Sequence, residues 1–249
     1  MVDNRYATAL VIGSVLSLLA TVYLSVAVGT QHWYQYSGPP IKQDGSNVSK
    51  LREDFINGEF DEKTYSESMY VLNGTLGLWW RCIQVPSESP WYKEPDPKLE
   101  TQCVSFTLPQ QFIPKYKYDA TQNNEDLLRT YLWRSQFLLP LVSLALVFLS
   151  GLVGVCACLC RSFTPTFGVG VLHLLAGLCS LGTVSCFLAG VDLLHQYSKP
   201  PGGVESSLGW SLYLALISFP LQMMAAALFL WAAKSHRKNY TRIIAYRVA

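Results

Sequence analysis

The 249 residues are half hydrophobic and only 14% charged, against about a quarter charged in soluble domains, a composition that excludes an ordinary soluble enzyme or binding domain and points to a membrane protein. The net charge of +2 is unevenly placed: seven bases (Arg5, Arg161, Lys234, Arg237, Lys238, Arg242, Arg247) share the chain ends and one short loop with a single acid, Asp3, whereas residues 31–130 hold fourteen acids and ten bases. A Gly-rich phosphate loop, a metal-ligand cluster and a nucleophile beside a base are all missing from the sequence, so no enzyme, cofactor, metal site or nucleic-acid partner is expected.

Ala7–Val28 is an uncharged apolar run, and about twenty such residues cross a ~30 Å hydrocarbon core. Ser25-Val26-Ala27 resembles a signal-cleavage site. The run is longer than the ~7–15 residues of a signal h-region, so it is read as a retained first span; cleavage would leave the sidedness of the rest unchanged.

Residues 31–130 form a long polar loop with strand signals in it. Met69-Tyr70-Val71-Leu72 and Thr75-Leu76-Gly77-Leu78-Trp79-Trp80 flank Asn73-Gly74, a favoured two-residue hairpin turn, so a hairpin is expected there. Thr101–Leu108, with Cys103, Val104 and Phe106, reads as another strand. Pro86, Pro90, Pro95 and Pro97 predict an irregular connection before it. The charged stretch 50–68 fits either a short helix or a mobile insertion. Cys82 and Cys103 are the only cysteines in the loop, since the other five lie in apolar segments; a bridge between them would staple two strands and put the loop in an oxidising compartment.

Phe137–Cys160 is the second predicted span, with a kink expected at Pro140. A short connection, 161–166, leads to a third span over 167–191. A second loop covers 192–209, with Lys199-Pro200-Pro201-Gly202-Gly203 in it, and a fourth span covers 210–233. A basic tail closes the chain. Short basic segments stay in the cytoplasm, so both termini are expected inside, and the long first loop and the short second loop outside. Trp33, Tyr34, Tyr36, Tyr131, Trp133, Tyr197 and Trp210 would then crowd the outer interface.

Trp33, then Gly77-Leu78-Trp79, two residues, Cys82, and a second Cys103 resemble the first-loop pattern of the claudin superfamily, and the four spans with a large first and a short second loop match it too. The resemblance implies one claudin-like domain over 1–249: a left-handed four-helix transmembrane bundle with a small extracellular antiparallel β-sheet, in a plasma membrane enriched at cell junctions. It implies the lipid bilayer and like or related claudin-type chains, in cis and in trans, as partners, and makes Trp33 and Trp79 anchors of the sheet on the bundle ahead of partner-binding aromatics. The first loop is longer than in ordinary claudins, the cysteines are further apart, and Tyr246-Arg247-Val248-Ala249 replaces the Tyr-Val end that docks PDZ scaffolds; scaffold docking is not implied.

Asn47-Val48-Ser49 and Asn73-Gly74-Thr75 are predicted N-glycosylation acceptors, the second at the expected hairpin tip. Asn239-Tyr240-Thr241 has the same pattern on the wrong side of the membrane. Cys156, Cys158 and Cys160 end the second span and are candidates for palmitoylation, with plain helix-end packing as the alternative. Gly182, Cys186 and Gly190 repeat every fourth residue and would let a helix approach closely. His173 is read as a neutral group hydrogen-bonded across the bundle, Asp192 as a group at the outer end of its span. Two functions remain open on the sequence: a junctional tetraspan giving adhesion and a paracellular barrier, and an auxiliary or trafficking subunit of a channel or receptor. An autonomous transporter lacks inverted repeats and paired intramembrane charges.

Overall fold

A computed structural model describes residues 4–38, 45–57, 62–87, 99–106, 124–160 and 163–248. The elements in chain order are α1 (Asn4–Gly29), β1 (Tyr34–Ser37), α2 (Gly45–Asn57), α3 (Glu62–Val71), β2 (Thr75–Leu76), β3 (Trp80–Pro86), β4 (Leu99–Ser105), α4 (Asn124–Cys160), α5 (Phe163–Tyr197), β5 (Glu205–Leu208) and α6 (Trp210–Val248). Four helices hold a stretch long and apolar enough to cross a membrane: Arg5–Gly29, Leu127–Ala157, Thr164–Tyr197 and Trp210–Ser235. The expected fold class is present, a four-helix membrane bundle with a small antiparallel sheet.

The helices overrun the bounds read from apolarity. Residues 124–130 of the expected first loop, 131–136 between that loop and the expected second span, 163–166 of the expected connection and 192–197 of the expected second loop are helical, and the basic tail continues α6 to Val248. Backbone hydrogen bonding along a helix does not stop where the apolar side chains do. Pro140 lies inside α4 and Pro220 inside α6.

The chain divides into two compact units. The first, Met1–Ala27 with Leu138–Val184 and Tyr213–Ala249, is the helix bundle. Val11, Val15, Leu18, Phe148 and Leu152 are exposed on its outside, as hydrocarbon-facing side chains are. Ala20, Ala176, Ala225, Ser143 and Ser180 are fully buried, and small residues of this kind bring helix backbones together in lipid. The Ser143 hydroxyl donates to the Ala176 carbonyl at 2.8 Å. His173 draws in the other three helices. Its Nδ1 lies 2.9 Å from Gln222 Oε1, its Nε2 3.0 Å from Ser150 Oγ and 3.3 Å from Ser17 Oγ, and its ring stacks on Phe229 at 5.2 Å. The Gln222 oxygen only accepts, so Nδ1 carries the ring proton and Nε2 accepts from the serines.

The second unit, Val28–Phe137 with Ser185–Leu212, holds a five-stranded sheet of order β4-β3-β2-β1-β5 with every pairing antiparallel. Two expectations fail here. Met69–Leu72 is not a strand: residues 62–71 form α3, and Asn73-Gly74 ends this helix. Asn73 takes a left-handed φ of 48°, and the Gly74 amide donates to the Met69 carbonyl at 2.8 Å, the long closing bond of a Schellman cap. A Cβ on Gly74 would stand 2.4 Å from the Met69 Cβ, so only glycine fits. An Asn-Gly pair satisfies a helix C-cap as well as a hairpin turn, because both need left-handed backbone.

Nor is Thr75–Trp80 one strand. β2 ends at Leu76, and Gly77–Trp79 turn the chain back so that Leu76 faces Arg81 and Thr75 faces Cys82 across β2 and β3. Of the charged stretch 50–68, residues 50–57 fall in α2 and 62–68 in α3, with 58–61 outside the described residues. The expected strand around Cys103 is β4, with Thr107 and Leu108 outside the described residues. Of the connection between the cysteines, 88–98, with Pro90, Pro95 and Pro97, also lies outside them. β5 was not expected; all four of its residues are exposed, and its pairing with β1 alone defines it. Of the aromatics expected at the membrane interface, Trp33, Tyr36 and Trp133 are buried in the protein instead, while Tyr131, Tyr197 and Trp210 are exposed.

Candidate functional site

The motif Gly77-Leu78-Trp79-Trp80-Arg81-Cys82 is a turn and the strand that follows it. The Gly77 amide donates to the Trp80 carbonyl at 2.9 Å. A Cβ on Gly77 would stand 2.9 Å from the Gln31 Cα and 3.1 Å from the Thr30 carbonyl oxygen, so glycine lets the turn lie against the backbone that leaves α1. Leu78 is buried beneath the turn. Trp79 Nε1 donates to the Val28 carbonyl at 2.7 Å, one of the last carbonyls of α1 that has no partner within the helix, and its ring lies 6.1 Å from Phe137 on α4.

Trp33 is fully buried against Phe187 of α5 at 5.0 Å. Its amide donates to the Leu76 carbonyl, and its carbonyl accepts from the Gly209 amide. The residue thus joins β2 to the chain before α6. Both tryptophans tie the sheet to helix ends of the same unit. One strand further on, Cys82 and Cys103 stand directly opposite in the β3–β4 register and are joined by a disulfide, with their Cα atoms 4.1 Å apart.

Arg81 carries no signal in the motif as usually written, yet it lies at the centre of the site. It is 2% exposed and Glu62 is 3% exposed. Arg81 Nη2 lies 3.4 Å from Glu62 Oε1 on α3, and Nη1 donates to the Gly77 carbonyl at 3.0 Å. The guanidinium lies over the Phe106 ring at 5.2 Å. Strand alternation was the available clue: Arg81, Ile83 and Val85 share one face of β3, and Ile83 and Val85 are buried. Phe106 in turn meets Tyr65 and Trp133 edge-on, and Tyr65 meets Phe55, so the ion pair sits among rings contributed by α2, α3 and α4.

A second cluster surrounds Tyr36. Its ring meets Tyr70 at 4.8 Å, its hydroxyl lies 3.0 Å from His195 Nε2, and the Tyr70 hydroxyl donates to the Ser198 carbonyl at 2.8 Å. Burial pushes both phenols above their ordinary value, Tyr36 the further, with Tyr70 and Tyr34 beside it adding to the effect.

The remaining expected sites are spread out. Asn73 is at the α3 cap, not a hairpin tip; it is half-buried, and its Oδ1 accepts from the Gly38 amide at 2.7 Å. Asn47 lies in α2, and its side chain is outside the described residues, as are those of Cys158 and Cys160 at the end of α4 and Asn239 in α6. Cys156 is exposed. A Cβ on Gly182 would stand 3.1 Å from Leu139 in the bundle, and one on Gly190 would stand 3.4 Å from Gln136 Oε1 in the sheet unit, so the close approach is to α4 of the same chain. Among the described residues no three His, Cys, Asp or Glu side chains gather as metal ligands would.

Residues 18–231 match the family model described as PMP-22/EMP/MP20/Claudin tight junction. The match takes in the second and third apolar stretches whole, the latter part of the first and most of the fourth, and the whole of the motif from Trp33 to Cys103.

Proposed function

That the chain belongs to the PMP-22/EMP/MP20/Claudin family is the premise from which we propose its role: a plasma-membrane tetraspan of cell–cell contacts that contributes to adhesion and to the paracellular barrier. In this reading residues 1–249 work as one claudin-like domain, both termini face the cytoplasm, and the stapled sheet faces the space between cells. Asn47 and Asn73 are its glycan acceptors, and Cys156, Cys158 and Cys160 take acyl chains. Related claudin-type chains, beside it and on the opposite cell, are its partners.

The observation that carries the reading is the sheet itself. Among the described residues β4 and β5 are its edges, and β5 is exposed along its whole length. An exposed edge offers unpaired amides and carbonyls to another chain, while the disulfide and the two tryptophans hold the rest of the sheet rigid behind it.

The test is a tagged copy expressed in cells that lack claudins. Enrichment where two expressing cells touch, with lowered tracer flux across the layer, supports the role. Uniform surface staining together with a co-purified channel overturns it in favour of an auxiliary subunit.

A further inference from the structure

The helix bundle contains a cavity of about 560 Å³ that the junctional reading does not use. That volume lies within the roughly 300–1,000 Å³ of sites that bury small ligands. Its rim residues Leu18 and Val155 are 65% and 60% exposed, so the cavity opens on the outside of the helices, where lipid chains lie. Along α1 it runs from Tyr6 to Thr21, and along α4 from Ala157 to Val147. At 1.5 Å per residue these stretches are about 22 Å and about 15 Å, the second equal to the ~15 Å depth of one leaflet of a ~30 Å core and the first somewhat more.

The chemistry of the lining restricts the occupant. It includes no Asp, Glu, Lys or Arg, so a phosphate or carboxylate headgroup would find no charge to pair with. One end, near the starts of α1 and α5, carries hydroxyls: Tyr6 Oη and Thr166 Oγ1 stand 3.4 Å apart, the long limit of a hydrogen bond. A ligand hydroxyl lodged between them can donate to one and accept from the other. Beyond that end the α4 wall is flat, because Gly151 and Gly154 present no side chain; a Cβ at Gly151 would meet nothing within 4 Å. We propose that this cavity is a binding site for a sterol, with its hydroxyl at Tyr6 and Thr166 and its rings against Gly151 and Gly154. A rigid ring system with one neutral hydroxyl fits an uncharged cavity that has a stretch of wall without side chains at Gly151 and Gly154 and a hydroxyl pair at one end, while the other polar side chains lining it, Ser14, Ser17, Thr21, Ser150 and His173, are bonded to one another or to the carbonyls of their own helix.

The test uses the full chain in nanodiscs with a photoactivatable sterol. The expected result is labelling of α1 and α4 peptides that excess cholesterol displaces. Gly151→Leu fills the open space and lowers labelling by about tenfold. Thr166→Val keeps the shape, removes one hydrogen bond and lowers labelling by about fivefold. Gly202→Leu, outside the cavity and also unobstructed, leaves labelling unchanged. Should Gly151→Leu not elute as the wild type does, Val155→Trp at the rim replaces it. Wild-type labelling in both Thr166→Val and the cavity-filling variant overturns the site. Displacement by diacylglycerol as effective as by cholesterol overturns the sterol assignment.

Discussion

Removing Glu62 tests whether Arg81 holds the motif turn in place. The pair is separated by 3.4 Å, and at an effective dielectric of about 20 that distance corresponds to about 5 kcal/mol of attraction. Both side chains are all but sealed from water, so loss of one partner leaves a buried charge uncompensated, at a cost of about 3–5 kcal/mol. Glu62→Leu and Arg81→Met are each expected to destabilise the sheet unit by that amount. The double variant, with no charge left to bury, recovers most of it. Arg81 also donates to the Gly77 carbonyl, so the double variant stays about 1 kcal/mol below the wild type for that lost hydrogen bond. Thermal unfolding of the purified chain in nanodiscs, followed by tryptophan fluorescence because Trp33, Trp79 and Trp80 surround the turn, supplies the four stabilities of the cycle. Single variants within about 1 kcal/mol of the wild type, well under the ~3 kcal/mol floor, refute the reasoning, as does a double variant as unstable as the two singles added together.

Cys103→Ser opens a loop of 21 residues' separation and is expected to cost about 3 kcal/mol; reduction of the wild type should reproduce the loss, and Cys103→Ser should be insensitive to reductant. At Asn73 the left-handed backbone separates two substitutions: Asn73→Gly keeps the cap, whereas Asn73→Ala costs about 1–2 kcal/mol, read as a lower unfolding midpoint of deglycosylated protein so that the glycan does not confound it. Burial raises the Tyr36 phenol above its unfolded value, so its contribution to stability is complete below about pH 10 and is lost as the pH climbs from there towards the folded value. Tyr36→Phe should flatten that alkaline fall in the unfolding midpoint, and an unchanged slope would contradict the assignment.

The apolar runs, the disulfide pair and the motif tryptophans are legible in the chain because each is a local or compositional signal. Twenty apolar residues have few places to go but a bilayer, and two lone cysteines in a polar loop have one pairing. The Asn73-Gly74 hairpin failed because the same dipeptide suits any left-handed turn, and only the α3 hydrogen bonds show which turn it makes. β5 has no hydrophobic alternation to announce it and exists through its pairing with β1. The interface assignment of Trp33, Tyr36 and Trp133 failed because an amphipathic ring is equally at home inside a protein that offers it a partner.

The sequence by itself determined how many times the chain can cross a membrane, which cysteines are joined, and that an aromatic motif accompanies them, because hydropathy, length and cysteine count need no knowledge of neighbours. Only the tertiary structure decided that Gly77 opens a turn, that Glu62 reaches Arg81 beneath it, that His173 gathers Ser17, Ser150 and Gln222, and that Gly151 leaves a leaflet-deep space open. Those features depend on side chains brought together from residues 19 to 156 positions apart, and pairing over such separations is set by packing, which no local stretch of sequence records.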